Sequence, residues 1–132
     1  MKNKLLITLI FVMLALVAGS PVFAHHGSRV SYDLDKMVTV TGTVTEYQWQ
    51  NPHVYVMFDV TDDAGKVTSW AAETYSPVVM TRNGWGHHSF KFGDKVTVTV
   101  WPSKIGTPRG FLAKLVAPDG HVTDLTHAGG PE

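Results

Sequence analysis

Between positions 37 and 125 the chain alternates apolar and polar residues in short runs, broken by Gly, Pro, Asn and Asp. Met37 to Tyr47 interleaves Val38, Val40 and Gly42 with Thr39, Thr41 and Thr43. A period of two in β-branched residues is the mark of a pleated strand. Gly42 inside that run predicts a bulge or a sharp bend. Trp49-Gln50-Asn51-Pro52 predicts a turn, because Asn-Pro favours turn initiation. His53 to Val60 is a second strand, with Val54, Val56 and Phe58 on one face. Asp62-Asp63-Ala64-Gly65 is a tight connection into a third strand, Lys66 to Glu73, which closes a hairpin. Ser76-Pro77 predicts a helix start, and Asn83-Gly84 ends that helix early. A fourth strand follows from Lys95 to Trp101, and Pro102 to Pro108 is a loop. A fifth strand runs from Arg109 to Val116, and a short terminal one from His121 to Leu125. Residues 25–35 form a polar leader, and residues 126–132 are expected to fray.

Strand, strand, strand, short helix, strand, strand is the order of a small five-stranded, OB-like Greek-key barrel, an all-β fold. The helix then lies between strands three and four. A bend at Gly42 would let the first strand join both halves of the barrel. A small open antiparallel sandwich is the alternative.

The first 24 residues follow a different rule. Lys2 and Lys4 precede an apolar run from Leu5 to Ala18, broken by Gly19, Ser20 and Pro21, and Val22-Phe23-Ala24 puts small residues at a cleavage site. That is the layout of a cleavable signal peptide, and the apolar run is short for a bilayer span. Export to the periplasm or secretion is expected, with no membrane attachment after cleavage. The mature chain would begin at His25. Loss of Lys2 and Lys4 leaves 9 basic against 11 acidic residues. Such a balance gives no footprint for nucleic acid. With no cysteine in the chain, disulfide frameworks, thiolate metal sites and cysteine nucleophiles are excluded.

Several segments together resemble one uncharacterised family of small exported bacterial proteins. They are His25-His26, Tyr32-Asp33, Val40-Thr41-Gly42-Thr43-Val44 and Trp49-Gln50-Asn51-Pro52-His53, with Gly93-Asp94-Lys95-Val96 and Gly106-Thr107-Pro108-Arg109-Gly110. The His-His start and the Trp-x-Asn-Pro-His turn are the specific parts. The resemblance implies export and an OB-like fold, and it supplies no chemistry. His87-His88 is not part of it.

Seven histidines are the chemical peculiarity of the chain. A mature N-terminal His25 offers one metal both its α-amine and its imidazole. A further histidine completes a three-nitrogen set, which suits Cu(II). His26 adds a neighbouring imidazole. His53, fixed by the Asn51-Pro52 turn at a strand start, is the distant partner expected, with Trp49 and Tyr55 as the surrounding ligand-facing aromatics. His87 and His88, between glycines in a loop, are a second candidate pair. The expected cofactor is therefore copper, with zinc the alternative.

No nucleophile motif or phosphate loop is present, and nothing in the spacing selects Glu46 and Glu73 as a catalytic pair. Catalysis is not predicted. The first reading is an exported metal-binding protein that uses His25, His26 and His53. The second is a metal-free OB-like module that binds an exported protein partner or a small ligand on its barrel face.

Overall fold

The computed structural model describes residues 30–130. Six strands and one helix follow in order: β1 (Val38–Gln48), β2 (Tyr55–Thr61), β3 (Val67–Glu73), α1 (Pro77–Arg82), β4 (Lys95–Pro102), β5 (Arg109–Val116) and β6 (Val122–Asp124). β1 is the hub. Its first half pairs with β4, from Val38↔Val100 to Thr43↔Lys95, and its second half with β2, from Thr43↔Asp59 to Gln48↔Tyr55. β2 and β3 form the expected hairpin, and β4 and β5 an antiparallel pair. A short parallel pairing of β3 with β5, from Ala71↔Arg109 to Glu73↔Phe111, closes the barrel. This is the OB-like closed barrel of five strands, with α1 between β3 and β4, and β6 is added on the edge of β5.

The alternation in the sequence sets the two faces. Val44, Val56, Phe58, Ala72, Val96, Val98, Val100, Leu112 and Leu115 fill the interior, and Met80 of α1 joins them. The intervening threonines face out. Thr39 and Thr99 share a hydroxyl hydrogen bond of 2.8 Å across β1 and β4, and Thr41 and Thr97 one of 2.9 Å. Such cross-strand pairs pin the register.

Gly42 acts by close approach. A Cβ there would stand 2.6 Å from the Asp59 carbonyl oxygen and 2.7 Å from the Phe58 ring. The bulge itself falls two residues on, between Val44 and Glu46, just past the point where β1 passes from one partner to the other. A second irregularity, between Thr99 and Val100 of β4, lets Ala113 face outwards while Leu112 and Leu115 both face in.

Ser76 is the N-cap of α1 and Pro77 its first residue, as the sequence predicts, although the serine hydroxyl makes no capping bond. Two terminal segments pack on the barrel. Residues 31–34 of the polar leader are bound to the barrel: Tyr32 bridges to Ser103, and the Asp33 amide donates to the Pro102 carbonyl at 2.8 Å. The tail does not fray over its described part. Thr126–Ala128 forms a 3-10 turn, and the Tyr75 hydroxyl donates to the Gly130 carbonyl at 2.9 Å. Leader and tail cover an outer apolar cluster of Tyr32, Trp101, Phe111 and Ala113, with Leu34 and Tyr75 packed against it. The signal-peptide segment lies outside the described residues. Among those described, no helix is long and apolar enough to cross a membrane.

Candidate functional site

Because Val54, Val56 and Phe58 point inwards, their neighbours His53 and Tyr55 point out. The same parity puts Glu73 and Ala71 of β3 on the outer face, and Arg109 and Phe111 of β5 beside them through the parallel pairing. The seam where the barrel closes therefore carries a cluster of polar side chains on its outside, and the leader passes over it.

Glu73 is the centre of that cluster. Its Oε1 accepts from Nδ1 of His53. Its Oε2 accepts from the Tyr32 hydroxyl at 2.5 Å. The His53 side chain is 31% exposed and that of Glu73 14%. A carboxylate here only accepts, so the proton of a neutral His53 sits on Nδ1 and the lone pair on Nε2. Nε2 has no hydrogen-bond partner among the described residues. The His53 ring stands edge-on to Phe111, with centroids 6.4 Å apart, which limits its rotation. An oriented imidazole with one nitrogen on a carboxylate and the other open is the arrangement of a metal-ligating histidine with its supporting partner.

Two tyrosines report the electrostatics. Burial, then the hydrogen bond to Glu73 and its negative charge, hold the Tyr32 phenol well above the ordinary tyrosine range, and Arg109 partly offsets this. The Tyr55 phenol is raised by burial and by Glu73, again with Arg109 opposing. Both phenols therefore remain neutral donors around the carboxylate. A cavity of about 530 Å³ opens beside Tyr32 and Glu73, with Ser103, Ile105 and Arg109 also in its lining.

The histidines and aromatics expected from the sequence separate into two regions. His53 and Tyr55 lie at the Glu73 cluster. Trp49 does not share it: its ring packs 5.5 Å from His87 and 6.2 Å from Tyr47. The Asn51-Pro52 peptide between Trp49 and His53 is cis. His87 and His88 have ring centroids 6.4 Å apart, in the loop after α1. His25 and His26 lie outside the described residues. Among the described residues no three His, Asp or Glu side chains converge as a metal site would require.

Glu73 and Tyr32 are the members of this cluster that sequence reasoning did not select. Glu73 ends a strand and is one acidic residue among several, and Tyr32 sits in a stretch with no periodicity. Only the fold brings them together. Glu46, considered beside Glu73 in the sequence, instead accepts from Gln48 on β1.

An all-β, OB-like barrel with a carboxylate–histidine pair on its closing seam defines the class of protein. The chain belongs to a family of unknown function, DUF6152, which matches it over residues 13–112. No curated protein and no solved structure matches it.

Proposed function

We propose that this is an exported, periplasmic protein that binds one transition-metal ion, copper in the first instance and zinc as the alternative. Its ligands are His53 and the histidines at the mature N-terminus, His25 and His26. One observation carries the reading. The same carboxylate that orients His53 also receives the hydroxyl of Tyr32, so the leader is tied to the barrel at the proposed ligand.

The geometry has a direct consequence for reach. His26 precedes Tyr32 by six residues, which span at most about 20 Å when extended. That reach from the Tyr32 anchor is long enough for the proposed ligands of the mature N-terminus to meet His53. Nitrogen donors from an amine and imidazoles suit Cu(II), the tightest binder of the divalent first-row series. Ligation requires neutral imidazoles and a deprotonated α-amine. Glu73 keeps His53 in the tautomer with Nε2 available, and Tyr32 holds Glu73 in place.

The test is copper titration of the processed protein beside its His53→Gln variant. The expected result is one tight equivalent in the parent and a loss of at least about tenfold in the variant, with the fold unchanged. Equal affinity in the two proteins would reject His53 as a ligand.

A further inference from the structure

The cavity beside Glu73 has a chemistry of its own. Arg109 opens β5 and pairs with Ala71, so its side chain shares the outer face with Glu73, two residues along the neighbouring strand. Its charge is felt at both Tyr32 and Tyr55. Both oxygens of Glu73 accept, one from His53 and one from Tyr32. Among the described residues Arg109 forms no ion pair. A guanidinium facing a cavity with no carboxylate to fork onto is built for an anion from outside.

The remaining lining narrows the class. Ser103 and Thr107 provide hydroxyl groups, and Lys104 adds positive charge. Val30 and Ile105 stand at the cavity with 62% and 84% of their surfaces exposed, an apolar rim without cover among the described residues. Arg109 offers one fork, which a single carboxylate fills, and the Glu73 carboxylate in the same lining disfavours further negative charge such as that of the phosphate dianion. A volume of about 530 Å³ falls within the range of small-molecule sites, roughly 300–1,000 Å³.

We propose that this cavity is a binding site for a small organic monocarboxylate. The carboxylate forks onto Arg109, and an apolar substituent lies against Val30 and Ile105. The site rests on Arg109 and does not depend on the metal reading.

The experiment uses the processed, metal-stripped protein, followed by amide chemical shifts in a two-dimensional NMR titration. The probes are acetate, isobutyrate, benzoate and inorganic phosphate. Saturable binding of isobutyrate and benzoate is expected in the millimolar range or tighter, stronger than acetate and phosphate, with shifts at residues 103–110. Arg109→Gln should weaken benzoate binding by about tenfold or more, with Arg109→Lys in between, because lysine keeps the charge and loses the fork. Arg82→Gln, the same change of charge at the end of α1, should leave binding unaltered. Thermal unfolding of each variant establishes that it is folded. Absence of saturable binding to the parent would overturn the proposal. So would phosphate binding as tightly as benzoate, or equal benzoate binding by a folded Arg109→Gln protein. Metal affinity is read separately, so either site can fail without the other.

Discussion

Glu73 accepts hydrogen bonds from side chains 20 and 41 positions away in sequence, and its side chain is mostly shielded from water. Removing one donor from such a group costs more than the bond contributes, because the carboxylate is left under-solvated. Tyr32→Phe is therefore expected to lower stability by about 1–2 kcal/mol, read from urea unfolding midpoints at pH 7. Glu73→Gln keeps the size of the side chain and can still hold His53 through its amide oxygen, with a weaker bond. It should reduce copper affinity by about 10–100-fold without abolishing it. His53 was legible as a candidate because a rigid Asn-Pro turn precedes it. Glu73 was not, since a carboxylate at a strand end looks like any solvated acid until the parallel β3–β5 pairing brings Phe111 and the leader against it.

At the scale of elements, the closeness of strands at two glycines holds the barrel shut. A Cβ at Gly110 would meet Val100 side-chain carbons at 2.5 Å and the Trp101 carbonyl oxygen at 2.6 Å. At Gly42 the obstacle is the Asp59 backbone on β2. Neither neighbour is a flexible side-chain end, so the strands themselves must separate. Gly42→Ala and Gly110→Ala should each destabilise the fold by about 1–3 kcal/mol or more in denaturant unfolding. Gly42 announced itself in the sequence by interrupting a Val/Thr run, although the bulge it suggested lies two residues further on. The strands were readable because one face is apolar and the other carries threonine. The docking of the leader and tail was not, because neither segment has a period. Their side-chain anchors, Tyr32 and Tyr75, meet the outer cluster around Phe111.

For the molecule as a whole, buried phenols fix the alkaline limit of stability. Tyr32 and Tyr47 are raised chiefly by burial, and Tyr55 is raised as well. Their folded-state values lie above the unfolded value of about 10, so the folded protein binds more protons at high pH. Stability is fully present below that point and falls as pH rises past it. Ultraviolet difference spectra should show Tyr32 and Tyr47 ionising together with unfolding and not before it. The proposed metal binding would run with the opposite sign. Nitrogen ligands bind copper only after losing their protons, so copper affinity is expected to rise with pH.

The claim that unites these scales is that the mature N-terminus and His53 hold one metal ion together. The most direct measurement is the electron paramagnetic resonance spectrum of one equivalent of Cu(II) on protein whose intact mass confirms a start at His25. It is compared with the same protein carrying one extra residue before His25, and with His53→Gln. The account predicts a single species with nitrogen ligation in the parent and a changed ligand set in both altered proteins. Identical spectra in all three would contradict it.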